Sequence, residues 1–390
     1  MATSKASIDL EQPMLAAVES RRPPRLHLAH IDGIRALAAT FVVLHHAWLT
    51  VWPVDHRVIS ATTLRYTGFL AFGNLAVCVF IVVSGFCLML PVTQNSGRPR
   101  DSAVRFYQRR AFRILPPFYA AMVLSLVLIW LFVGQKTGTH WDVSIPIRPA
   151  GYIGNLLLLQ DIIGKGQINH AFWSVAVEMQ IYLWFPLLVW AYGRLGRIQT
   201  TALALLASLA GFALLKDSKL SGLTPQYYGL FCLGAFAAAT GYGPSRDAAA
   251  RYRTVWIGIG CGCAVALAIL TQHLGIERSY HSPWPDYLIG MSVASLMVAA
   301  ASTESRWLRW LGCRPLVWVG AFSYSLYLIH APLLQLIWQY ILNPMHLTRE
   351  ATFALLALPG AAAIIACAYI FYLLCERHFL RFPGRSPQQS

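Results

Sequence analysis

His45 and His46 lie side by side in "VVLHHAWL", inside the apolar run "IRALAATFVVLHHAWLTVW". An imidazole stripped of water needs a partner or a task. Its ready task near neutral pH is to accept the proton of a hydroxyl. Two more ionisable groups fall inside apolar runs, Glu178 in "AFWSVAVEMQIYLWFP" and His330 in "FSYSLYLIHAPL". Such residues are costly in a membrane and mark functional sites. At 1.5 Å per residue, His46 and His330 lie roughly 20 Å from the cytoplasmic ends of their runs, and Glu178 roughly 10 Å from its outer end. The three are therefore expected at similar depth, around one polar cavity. A carboxylate there would orient an imidazole or bond an acceptor hydroxyl.

Helical phase separates the two histidines. Arg35 and His46 are eleven residues apart, about three full turns, and share a face; His45 falls about 80° away. His46 is assigned to the functional face, and His45 to a supporting role or a bond to a backbone carbonyl. The stretch "RPRDSAVRFYQRRAFRILPPFY" concentrates arginine, with Arg110 and Arg113 three apart on one helical face. Guanidinium pairs suit phosphate through bidentate bonding and a permanent charge. The same charge would also serve to anchor the chain to anionic lipid. Pro116 and Pro117 are expected to bend or start the span that follows.

Other stretches read as packing. Ser84-Gly85 in "FIVVSGFCLML" suits close helix approach, as do the glycines of "GIGCGC", which follow no strand and so form no dinucleotide fingerprint. The eight cysteines show neither a paired framework nor zinc spacing, and no metal is expected.

The elements that must position these groups are membrane helices. Of the 390 residues 57% are hydrophobic and 12% charged, against about 25% charged in a soluble domain. The net charge of +15 falls between apolar runs rather than on one face, which argues against a nucleic-acid partner. Ten segments approach the roughly 20 apolar residues of a span: 33–51, 68–90, 115–133, 171–192, 200–215, 227–242, 254–271, 287–303, 316–342 and 351–375. The ninth has an alternative start nearer Phe322. Segment 149–164 is too short and reads as interfacial or re-entrant. With the N-terminus cytoplasmic, 22 of the 31 Lys and Arg fall inside and 9 outside, which predicts an N-in, C-in topology. The expected fold is an all-α polytopic membrane protein of about ten spans. It has a polar cytoplasmic tail at 1–32, a transmembrane domain at 33–376 and a second cytoplasmic tail at 377–390. Residues 1–32 show no cleavable-signal pattern; "IDLEQPMLAAVES" reads as a short interfacial helix or a disordered tail.

Seven stretches, spread in order from about residue 30 to about residue 380, together resemble the acyltransferase 3 family of integral membrane O-acyltransferases. They are "HIDGIRALAATFVVLHHAW", "FIVVSGFCLML", "FYQRRAFRILPPFY", "GNLLLLQ", "FWSVAVEMQIYLWFPLL", "FSYSLYLIH" and "YLLCERHF". The resemblance implies a ten-helix core that takes an acyl group from cytoplasmic acyl-CoA. The acceptor it implies is a hydroxyl on a glycan, lipid-linked sugar or glycosylated small molecule. The family's arginine followed eleven residues later by histidine lands on Arg35 and His46, its paired arginines on Arg110 and Arg113, and its glutamate after Trp-Ser on Glu178. The esterase-like domain of some members is not expected here.

On that resemblance Arg35, Arg110 and Arg113 hold the donor's phosphates, His46 is the base, and Glu178 orients it or the acceptor. Trp173, Ser174, Tyr182, Tyr327 and His330 contact the acceptor or support the catalytic pair. An acyl-histidine or acyl-serine relay is the alternative to direct transfer. The expected location is the plasma or inner membrane. Two rival readings exist. A transporter would be expected to show internal repeats and broken helices in matching halves. A membrane glycosyltransferase would be expected to use a carboxylate base facing an extracellular loop.

Overall fold

The computed structural model describes residues 27–53, 59–301, 305–380 and 382, and among these all regular structure is helical. Apolar segments in lipid must satisfy every backbone N–H and C=O internally, so helices follow from the composition. Over their described residues the ten expected segments are mostly helical. Eight helices are long and apolar enough to cross a membrane. The helices Gln226–Gly241 and Trp284–Ala300, with 16 and 17 residues, are shorter. The stretch "IDLEQPMLAAVES" and most of both expected tails lie outside the described residues.

The helices used below are α1 (Ala29–Val51), α2 (Gly73–Gln94), α3 (Ala103–Leu128), α4 (Pro149–Leu157), α5 (Trp173–Leu195), α6 (Arg197–Leu215), α7 (Gln226–Gly241), α8 (Arg253–Tyr280), α9 (Trp284–Ala300), α10 (Arg314–Ala321), α11 (Ser323–Ile337) and α12 (Ala361–Leu374). Helix α1 begins at Ala29, inside what the sequence assigns to the tail. Helix α3 begins well before its expected start. Ser102 caps it by accepting from Arg105 N, and the helix runs on through Pro116 and Pro117. The arginine stretch therefore lies on a rigid helix, which fixes where Arg110 and Arg113 point. Segment 149–164 forms the nine-residue α4 and then turns; about 14 Å of helix cannot cross a 30 Å core. The ninth segment breaks at Phe322 into α10 and α11.

The interior is built from α1, α2, α7, α9 and α11, while α8 has only 6% of its span window buried and α6 only 17%. Their exposed apolar sides suit contact with lipid. Near its end α8 is broken at Gly275, whose φ of 74° favours glycine. The break leads into Ile276, Glu277 and Tyr280, which cover a cavity described below.

Helices α2 and α7 pack closely through glycine. A Cβ at Gly85 would lie 2.0 Å from Phe231 O, and one at Gly234 would lie 1.9 Å from Val82 O. Of the "GIGCGC" glycines only Gly260 meets a neighbour, Leu296; Gly258 and Gly262 have open space, so the packing expectation holds for one of three. Gly234→Ala should destabilise the fold by about 1–3 kcal/mol through overpacking. Gly258→Ala should leave stability unchanged or slightly raised. Thermal unfolding in detergent compares the two directly.

The topology has its own expected result. Reporter fusions after Gly97, Arg197 and Tyr242 should read cytoplasmic, and fusions after Thr139 and Ser218 external. Exchanged signals at Thr139 and Arg197 would break the N-in arrangement.

Candidate active site

The histidine end is built around the last turns of α1. His45 is buried, with Nδ1 2.6 Å from Leu70 O. Its ring fills the space beside Gly73, where a Cβ would approach to 2.1 Å. His46 is half-buried and turns to a different side. Its Nδ1 lies 3.0 Å from Val42 O and 3.0 Å from His330 Nε2. His330 is fully buried on α11, with Nδ1 2.7 Å from Tyr327 O. A carbonyl only accepts, so Nδ1 carries the hydrogen in both rings. His46 then shares its Nδ1–H between Val42 O and the His330 Nε2 lone pair. That leaves the His46 Nε2 lone pair free.

His46 lines a cavity of about 580 Å³ together with His45, His140, His170, Trp173 and Tyr327. This size suits a small-molecule site. Tyr327 donates to Ala171 O at 2.8 Å and accepts from Ser174 Oγ at 2.6 Å, tying α11 to the start of α5. Asn169 adds a second tie by donating to Leu328 O. A second cavity, of about 340 Å³, shares His140, His170 and Trp173 with the first and reaches Asp161 and Lys165.

His140 and His170 were not singled out in the sequence. Their ring centroids lie 5.9 and 4.8 Å from that of His46. His140 comes from the loop between α3 and α4, where burial pushes its imidazole down to about 4. The available signal for His170 was its place three residues before Trp173.

A second polar cluster occupies the other end of the bundle. Arg35, near the start of α1, lies 3.7 Å from Asp32 and donates to Cys87 Sγ at 3.7 Å. The Arg110 guanidinium sits 5.9 Å from the Tyr182 ring centroid and 6.0 Å from that of Phe106, and its buried Nε has no hydrogen-bond partner among the described residues. Arg113 is in electrostatic range of Arg110, Arg35 and Glu376. Neither Arg110 nor Arg113 forms an ion pair within 4.0 Å among the described residues. Guanidinium groups gathered in this way have the chemistry to hold an anion such as phosphate.

Glu178 belongs to this arginine end and not to His46. Its Oε1 accepts from Ser84 Oγ at 3.0 Å and from the Tyr182 hydroxyl, and Ser84 and Tyr182 lie 2.7 Å apart. The shared face of Glu178 and Tyr182 is as the spacing predicts. The common cavity with His46 is not what forms, because the carboxylate takes the nearest hydroxyls on its own and the facing helix. Ser84, read from sequence as packing, is thus a polar partner, while Gly85 beside it supplies the close approach. Glu376, absent from the sequence candidates, accepts from Ser325 N and Oγ. Burial pushes its carboxyl up.

Two of the expected groups are therefore in contact, His46 and His330, with Tyr327, Ser174 and Trp173 around them. Arg35, Arg110, Arg113, Glu178 and Tyr182 gather apart. Arg35 and His46 are separated by roughly 16 Å along α1.

Residues 28–373 match the family profile described as an acyltransferase domain, Acyl_transf_3. The chain is similar to the O-acetyltransferase OatA of Staphylococcus aureus, 24% identical over 342 residues, covering 83% of this chain and 53% of that protein. It is also similar to a Bacillus subtilis protein provisionally named peptidoglycan O-acetyltransferase YrhL, 24% identical over 330 residues, covering 80% and 49%. A third likeness is to a Komagataeibacter xylinus protein provisionally named membrane-bound transacylase BcsY, 28% identical over 173 residues, covering 41% and 36%. The chain spans about half the length of the first two relatives.

Proposed function

The chain belongs to the acyltransferase 3 family, and on that premise we propose that it is a membrane O-acyltransferase with a donor end and an acceptor end. The donor is acyl-CoA carrying an acetyl or another short acyl group. Its phosphates lie on Arg110 and Arg113, with Arg35 beside them, and its pantetheine arm extends along α1 toward His46. An extended arm is comparable in length to the roughly 16 Å from Arg35 to His46. The Tyr182 ring, held by its bond to Glu178, sets the position of Arg110, and the Glu178 carboxylate offsets part of the arginine charge. The acceptor is a hydroxyl on a glycan, lipid-linked sugar or glycosylated small molecule that enters the histidine cavity. This assignment agrees with the O-acetyltransferase names of two relatives.

In the transfer itself His46 Nε2 takes the acceptor's hydroxyl proton as the oxygen attacks the thioester carbonyl. The C–O bond forms, the C–S bond breaks, and the departing thiolate receives the proton. The products are an ester and free CoA. His330 and Val42 O hold the ring so that the free lone pair is at Nε2. The observation that carries the reading is this fixed tautomer at the wall of a cavity, on the helix that also bears Arg35. The test is to supply membranes from expressing cells with radiolabelled acetyl-CoA. Label should appear on polar material and be released by mild alkali, as esters are. Alkali-stable label, or none above control membranes, would overturn the reading.

A further inference from the structure

We propose that His46, His140 and His170 form a transition-metal site that takes one zinc-like ion and, when filled, withdraws His46 from proton transfer. The regulatory half of the proposal rests on the function proposed above; the binding half does not.

The three side chains come from α1, from the loop before α4 and from the turn before α5. One ligand atom from each falls within 4.8 Å of the others. Bonds of about 2.0–2.1 Å to zinc require each nitrogen to move inward by under about an ångström. Side chains, not backbone, make that adjustment. Two of the three rings have a bonded or nearby acceptor on the nitrogen opposite the ligand. Metal-bound imidazoles give their other N–H to a carbonyl or similar acceptor, and His46 does this with Nδ1 to Val42 O. His170 Nδ1 lies 3.1 Å from Ser144 Oγ, which also accepts from His170 N; the tautomer in which Nδ1 donates there leaves Nε2 as a ligand. His170 is nine-tenths buried and its Nε2 has no hydrogen-bond partner among the described residues. An orphaned buried nitrogen calls for an explanation, and a metal supplies one. His330 is excluded as a ligand because its Nε2 faces His46 Nδ1.

Three imidazoles with a fourth position on the cavity match zinc's open-site geometry. All-nitrogen donors favour zinc, copper or nickel over magnesium or calcium. The two cavities meeting at His140 and His170 give an ion its way in. The His46 Nε2 lone pair can hold a metal or accept a proton, not both. Filling the site therefore competes with catalysis.

The test uses tag-free protein in detergent, stripped with EDTA and dialysed. Cobalt(II) should bind at about one ion per chain and give the intense visible bands of a tetrahedral site; zinc should displace it. His140→Ala and His170→Ala should each weaken zinc binding by more than about a hundredfold, and Ser144→Ala by about 10–100-fold. Sub-stoichiometric cobalt, octahedral bands, or unchanged affinity in both histidine variants would overturn the site. In the transfer assay zinc should inhibit wild-type protein and EDTA should restore it. Full transfer with the site saturated would overturn the regulatory half. Tetrahedral cobalt bands in a protein that never transfers acyl groups would count against the proposed function and leave the metal site standing.

Discussion

His46→Ala should abolish acyl transfer while leaving expression and binding of the proposed acyl-CoA donor nearly intact. General-base catalysis is worth about 10²–10⁴-fold, so the loss is at least about a hundredfold. The contrast with the adjacent position makes this specific. His45 is buried against Gly73 and bonded to Leu70 O, on another side of α1. His45→Ala therefore costs about tenfold or less, through the packing behind His46. Both are read as initial rates at saturating donor, normalised to folded protein. Wild-type turnover in His46→Ala, or a larger loss in His45→Ala, contradicts the assignment.

The second large effect belongs to the arginine end. Arg113→Lys keeps the charge and loses the planar fork that grips phosphate through two bonds. A hydrogen bond to a charged group is worth about 1.5–3 kcal/mol, so acyl-CoA binding weakens by about tenfold to a hundredfold. Arg110→Lys does the same and also gives up its place over the Tyr182 ring. Arginines that only anchor lipid would leave both lysine variants nearly silent. Equilibrium binding of radiolabelled acetyl-CoA decides; normal affinity in both variants ends the donor-site assignment.

Much of this site was legible because helical period reports faces. Three turns between Arg35 and His46 placed both on one side of α1, and the spacing from Glu178 to Tyr182 predicted a contact that the structure contains. Hydropathy located the apolar helical segments, eight of them long enough to span, and the alternative start near Phe322 falls where the ninth segment divides into α10 and α11. What period cannot report is which face meets which. Nothing in α5 alone says that Glu178 takes Ser84 of α2 as partner rather than His46 of α1. Depth arithmetic put Glu178 beside the histidines because it measured distance along an axis without knowing the tilt or neighbours of the helix. His140 and His170 reach the site from short connecting segments, where no periodic signal exists. Their cluster with His46 joins residues from separate parts of the chain, so no metal-binding spacing could announce it. Of the two roles expected for Pro116 and Pro117, starting the helix is the one that fails. Pro116 and Pro117 lie inside α3, because Ser102 starts the helix earlier and a long membrane helix tolerates the lost bonds.

The central claim is that an acyl group enters at the arginine end and leaves on a hydroxyl at the histidine end. Membrane vesicles of defined orientation test it, because acyl-CoA does not cross a bilayer. Inside-out vesicles from expressing cells, given external radiolabelled acetyl-CoA, should accumulate alkali-labile label on luminal glycan material, and right-side-out vesicles should not. His46→Ala vesicles should stay at background. Label confined to right-side-out vesicles, or equal label with and without His46, would contradict the account.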